Sequence, residues 1–233
     1  LTLALNHTQS RRGFGSSLAE QPMMTNILAD LAIDSEASTL MAFRVAAATD
    51  AMKGSEQERH LARVTTPLAK FWNCKRAAAF VVEALECHGG NGFIEENPMA
   101  RHYREAPLNS VWEGSGNVIC LDVLRSLERE PGSLQALRAE LHTVSGQDRR
   151  YDAALQALEN DLHDLIRHEG QARLLTERLA LMLQGALLIR HAPHAVADAF
   201  VATRLGGHWS GHFGDLPLAV DVVTLARRAV PEI

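Results

Sequence analysis

One carboxylate stands out for its company. Glu113 lies between Trp112 and Gly114 in the segment WEGSGN, residues 112–117, and a strongly apolar run comes after it. Upstream, a second glycine cluster, HGGNGF, occupies residues 88–93, and the basic, aromatic segment ARHYRE at 100–105 lies between the two. Glycine lets other groups approach the backbone closely, and an acid beside a helix N-terminus among apolar neighbours is suited to moving a proton. Two influences on such an acid oppose each other: burial raises its pKa, while the helix N-terminus favours its anion. Spacing alone also fits a plainer role, an acidic residue in the first turn of a helix. Two weaker features carry less. His208 and His212 are four residues apart and could share a metal on a helix, but the glycines around them favour a loop and no third ligand lies nearby, so no metal is assigned. Lys75 interrupts an apolar seam and is expected to snorkel or pair.

The elements that must position Glu113 are helical. The chain has 233 residues, 46% hydrophobic and only 5% aromatic, which favours helices over strands. Leu28, Leu31, Ser35, Ser38, Ala42 and Val45 step by three and four and predict one face of a long helix from Met24, which Gly54 ends. Ser55 and Glu58 form a capping box for the next helix, striped by Leu61, Val64, Leu68, Phe71, Ala78, Val82 and Leu85, with a kink expected at Pro67 and an end at His88-Gly89-Gly90. A third helix is expected over Ser115–Arg129, with Cys120, Val123, Leu124 and Leu127 inward.

Glu130-Pro131-Gly132 is the clearest boundary. Beyond it, Leu155, Leu158, Leu162 and Leu165 make one stripe, and Leu175, Leu179, Met182, Ala186 and Ile189 another; residues 205–216 form a glycine-rich loop. The reading is all-α: an antiparallel four-helix-bundle type over 1–130 with an appended helical region over 131–233.

The net charge of −5 gives no global pull toward nucleic acid. Three cysteines without a short-spaced pair fit a reducing compartment, and the expected location is cytoplasmic. No apolar run reaches about 18 residues, so no membrane span is expected. LTLALNHTQ has helical composition and no cap before it, so the chain is expected to begin inside a helix, as a piece of something longer.

Beyond these readings, RRGFGSSLAEQPMM at the start, HGGNGF, YREAPLNSVWEGSGN, CLDVLR and SGQDRRYDAAL together resemble the acyl-CoA dehydrogenase family. The resemblance is to its C-terminal helical domain, nearest the AidB-like alkylation-response subgroup, and covers nearly the whole chain. The pairing of HGGNGF with WEGSGN is specific, whereas GGNG alone would be weak. The resemblance implies FAD as cofactor and an acyl-CoA as substrate, dehydrogenated between its α and β carbons. By the same resemblance, Glu113 matches the catalytic base. Arg11 matches an arginine that holds the FAD pyrophosphate of a neighbouring subunit, and Phe14 an aromatic residue beside that cofactor. Glu86, Cys87, His88, Gly89 and Gly90 match a segment against the partner's FAD, and Ser115, Gly116 and Asn117 match residues near the flavin. Gln21-Pro22 departs from the family's usual His-Gln; Pro22 has no donor, and Gln21 is expected to take the contact. The resemblance further implies a homo-oligomer, dimer or tetramer, that shares FAD sites between subunits.

The subgroup is also associated with DNA binding, which would fall to Arg125 and Arg204, and an alternative reading is a flavin-carrying DNA- or protein-binding module with vestigial activity. However, residues 126–170 carry five Arg against nine Asp or Glu, and a phosphate-binding face needs clustered cations. Salt bridges or helix-end contacts are therefore the expectation for both arginines.

Overall fold

The computed structural model describes residues 1–207 and 209–230. The chain opens with α1 (Thr2–Ser10) and a two-residue-per-strand hairpin, β1 (Arg12–Gly13) antiparallel to β2 (Ser16–Ser17), the only strands among the described residues. Then come α2 (Pro22–Ala51) and α3 (Glu56–Glu86), long enough to pack as an antiparallel pair across a short turn. Short helices α4 (Gly90–Phe93) and α5 (Pro98–Glu105) lead to α6 (Gly116–Arg129). The second half contains α7 (Pro131–Leu141), α8 (Arg149–Arg167), α9 (Ala172–His191), α10 (His194–Phe200), continued by a π turn at Val201–Leu205, and α11 (Val222–Arg228). The all-α expectation holds.

Local chemistry explains the ends. Pro22 opens α2, where its missing N–H costs nothing. Ser55 caps α3 by accepting from the Glu58 amide at 3.3 Å. The expected reciprocal half of the capping box is not made, because the Glu58 carboxylate instead takes two bonds from Arg44, at 2.8 and 2.9 Å. α3 runs as one helix through Pro67.

The core departs from the predicted stripes on α2, α3 and α9. On α2 the buried face is Leu28, Leu31, Ile33, Ala37, Met41 and Ala48, while Ala42 is exposed. A 3.6-residue period drifts over thirty residues, and α2 turns a new face inward along its length. On α3, Val82 is exposed although Ala84 is buried. α6 buries Cys120, Val123, Leu124 and Leu127 as expected. α9 is buried on every side from Leu179 to Leu188, a wrap-around burial that a one-sided stripe did not anticipate. It lies against α2, α3, α6 and α8, and Trp72 of α3 donates to Gln184 on it at 3.0 Å. A single apolar core runs from Ala4 to Ala226.

Charge also reaches the interior. Glu140 of α7 accepts from Arg44 of α2 and from Arg190 of α9, both at 2.9 Å, so one carboxylate ties three helices. Asp30 and Asp34, on the buried face of α2, face Arg204 and Arg76. Trp209 and Phe213 of the glycine-rich loop stack over the Arg76 guanidinium, 5.1 and 4.5 Å from its carbon.

Candidate active site

Two groups of the expected site residues form, at different places on α3. At its C-terminal end, the ECHGG segment meets α1, the helix that leads into the N-terminal hairpin. The His7 ring stacks on His88 with centroids 4.7 Å apart, and the Arg11 amide donates to the His7 carbonyl at 2.8 Å. Phe14 (φ 53) and Gly15 (φ 91) make the hairpin turn, with both residues left-handed as a tight primed turn requires. Phe14 therefore stands at the tip, 97% exposed, with Arg11 also exposed beside it. Gln21 braces the hairpin from below, donating to Ser16 Oγ at 2.7 Å and to the Gly13 carbonyl at 3.3 Å. Its side-chain amide nitrogen is thus turned to the hairpin.

Glu86, Gly89 and Gly90 are exposed, whereas Cys87 is buried and its thiol is pushed up to about 12, first by that burial. The amides of Cys87, His88 and Gly89 donate to Glu83, Leu85 and Glu86 carbonyls and close the helix end. What this segment offers outward is therefore glycine surface at Gly89 (φ 57) and Gly90, and not those three amides.

The second group sits near the middle of α3, about 24 Å further along the helix axis by the rise of an α-helix. Glu113 (φ 55) and Gly114 (φ 119) form a left-handed turn immediately before α6. Glu113 is exposed, so the apolar burial expected for it is not supplied by this chain. It lines a groove of about 680 Å³ between the C-terminal end of α2, α3 and α6, with Met52, Thr66, Lys70 and Ile119 among its walls. Arg63 in the same groove is held by Asp122, at 2.9 Å through two nitrogens, and by Glu130 at 3.1 Å. Ser115 is the N-cap residue of α6. Gly116 is buried, and a Cβ there would lie 3.2 Å from both Lys75 and Arg173 and 3.4 Å from Phe71, so its small size serves close helix packing. The Lys75 stem lies along this contact while its residue stays exposed, as snorkelling predicts. Asn117 accepts from Arg173 Nε at 2.8 Å.

Two site residues were not anticipated. Lys70 donates to the Gly114 carbonyl at 2.6 Å, and Arg173 reaches Asn117 from the appended region. Lys70 falls off the apolar stripe of its helix and Arg173 is distant in sequence, so neither carries a one-dimensional signal.

The fold separates the two arginines considered for DNA: it buries Arg204 and leaves Arg125 exposed without the expected salt bridge among the described residues. The Arg204 side chain is 1% exposed and paired with Asp30, with Trp209 stacked nearby at 5.8 Å, so it cannot meet a phosphate. Arg125 is exposed on α6 and forms no ion pair among the described residues. His208 lies outside the described residues, and no cluster of metal-ligating side chains occurs among the described ones. No helix among the described residues is long and apolar enough to cross a membrane.

Comparison with known proteins bears on the family and the fold. The sequence profile for the acyl-CoA dehydrogenase C-terminal domain matches residues 1–128. AidB of Escherichia coli K12 is 40% identical over 204 residues, 88% of this chain and 37% of AidB. The crystal structure of Caenorhabditis elegans ACDH-11 in complex with C11-CoA superposes with a TM-score of 0.70 at 27% identity, covering 99% of this chain and 39% of that one. An acyl-CoA dehydrogenase from Bacillus anthracis, complexed with FAD, shares the fold at 18% identity and a TM-score of 0.56, over 98% of this chain and 43% of its own. The chain thus spans well under half of each of these relatives.

Proposed function

The chain belongs to the acyl-CoA dehydrogenase family, as its C-terminal helical domain, and from this premise we propose that it supplies the base and part of the flavin site of an FAD-dependent acyl-CoA dehydrogenase. Residues 1–130 are the family bundle and 131–233 an appended helical region, a division supported by the end of the family match at residue 128. The observation that carries the reading is the Glu113 turn: a solvent-facing carboxylate, fixed in a left-handed turn at a helix N-terminus, lining an open groove. FAD suits the residues toward the other end of α3, where an exposed ring and an exposed guanidinium lie on the segment after α1 and two exposed glycines follow α3, with α1 and the α3 end joined by the His7–His88 stack. There Arg11 would pair with pyrophosphate oxygens, Phe14 would cover a flat face, and Glu86, Cys87, His88, Gly89 and Gly90 would form the bed, with Gln21 supporting the hairpin. Ser115, Gly116 and Asn117 would lie beside the flavin near Glu113.

Bound FAD would accept a hydride from the β-carbon of the acyl group. Glu113 takes the α-proton, and the electrons of that bond become the new double bond. The separation of the two groups along α3 supports a homo-oligomer in which the Arg11 end serves a neighbouring subunit's flavin. The acyl-CoA site and the isoalloxazine pocket would be completed by the family's other domains, and we place the protein in the cytoplasm.

The test is turnover of an acyl-CoA panel by the full-length protein and its Glu113→Gln variant. Loss of a general base is expected to lower turnover by about 10²- to 10⁴-fold. Retained turnover would remove Glu113 from the role.

A further inference from the structure

We propose that Lys70 is a positioning residue for Glu113, locking the turn that aims the carboxylate; this rests on the reading of Glu113 as the base. The backbone at the turn is strained. Glu113 at φ 55 occupies the left-handed region, and Gly114 comes next at φ 119. A residue with a Cβ stays there only when its surroundings hold it.

The turn is anchored on both flanks. Before it, the amides of Val111 and Trp112 both donate to the Leu108 carbonyl, at 2.9 and 3.1 Å. After it, Gly116 sits flush against Phe71 of α3, and the Ile119 amide begins the α6 ladder by donating to Ser115 at 3.0 Å. Between these flanks, the bond from Lys70 Nζ to the Gly114 carbonyl, 2.6 Å, is the one side-chain hydrogen bond to residues 111–114 among the described residues. It is short and charge-assisted, and its donor springs from the middle of a 31-residue helix. Lys70 has no carboxylate within ion-pair distance among the described residues, unlike Arg63 in the same groove. Its charge is directed to the Gly114–Ser115 peptide, one residue past Glu113. Releasing that carbonyl lets the turn relax and swings the carboxylate away from its line of attack.

The test uses the full-length flavoprotein with Lys70→Met, Lys70→Gln and Lys70→Arg. Amide exchange read by mass spectrometry should rise about tenfold over residues 111–116 in Lys70→Met and stay unchanged on the rest of α3 and α6. A displaced base costs about ten- to a hundredfold in kcat, with KM nearly constant, as misplacement of a reacting group does. Lys70→Gln and Lys70→Arg keep a donor and should restore most of both, and the pH profile of kcat should keep its shape. Unchanged exchange over 111–116, exchange raised along the whole chain, or a change in KM alone would each overturn the proposal. Glu113→Gln separates the two claims. If that variant still turns over substrate, the base reading falls, while the exchange measurement still decides whether Lys70 holds the turn.

Discussion

Glu113 and Gly114 are consecutive left-handed residues, and the second has no alternative to glycine. A Cβ at Gly114 would be strained by φ 119 and would also approach Ile119 Cδ1 to 2.8 Å. Gly114→Ala is therefore expected to destabilise the chain by about 1–3 kcal/mol, read from urea unfolding midpoints. An unchanged midpoint would mean that the turn rearranges freely. At the other end of α3, His7 titrates below its ordinary 6.5, first through burial and then through the nearby His88 and Arg11 charges. Its charged form is thus disfavoured in the folded state. The stability His7 contributes is full above pH 6.5 and is lost as pH falls from there through the lower folded value. The hairpin carrying Phe14 should loosen over that window, seen as faster amide exchange in residues 2–17, and His7→Gln should flatten the response.

Among the elements, α2 carries the least expected burden. Asp30 is fully buried on it, and burial pushes its carboxyl up while the Arg204 charge and hydrogen bond pull it down. Its second oxygen accepts from the Gly214 amide at 2.9 Å, which fixes the glycine-rich loop on α2. Asn26 adds a two-way clamp on Leu216, accepting from its amide at 3.1 Å and donating to its carbonyl at 3.0 Å. Removing Arg204 strands a buried carboxylate, so Arg204→Ala should cost about 3–5 kcal/mol in chemical denaturation. The double variant Asp30→Asn with Arg204→Met should cost less than the single one, because neither charge is left alone. A double variant worse than Arg204→Ala would show that the ion pair itself, and not the orphaned charge, dominates.

For the whole molecule, the expectations concern what this chain cannot do by itself. Its net charge is −5, Arg204 is buried, and the helix α8 carries more acids than bases. Counterion release needs clustered exposed cations, so the chain alone should show no salt-sensitive retention of duplex DNA near physiological ionic strength. A clear salt-dependent gel shift would reverse that. Arg11, Phe14 and Gly89 are exposed, and Glu113 lies far along α3 from them. The chain alone should therefore purify without flavin and turn over no acyl-CoA. Stoichiometric yellow FAD on the isolated chain would show that the helical part is sufficient.

Much of this was legible in one dimension. The helices over Pro22–Ala51, Glu56–Glu86 and Gly116–Arg129 arise from apolar spacing and from Pro and Gly at their ends, since periodicity and caps are local properties. The glycine segments HGGNGF and WEGSGN marked the left-handed backbone at Gly89 and Gly114 for the same reason: a left-handed turn has a residue signature. Other features depended on which distant surfaces meet. Whether Ala42 or Met41 faces inward on α2, whether α9 is buried on one side or all round, and whether Arg204 greets solvent or Asp30 were settled only by packing. Gln21 turned to the hairpin, the Glu58 carboxylate left its capping box for Arg44, and Lys70 found the Gly114 carbonyl, each because a partner from elsewhere arrived within reach. Sequence alone determined the kinds of element and the residues able to do chemistry, because those rest on backbone and side-chain preferences within a few residues. Tertiary structure alone decided which of those groups are free to act, because burial and pairing are properties of the assembled chain.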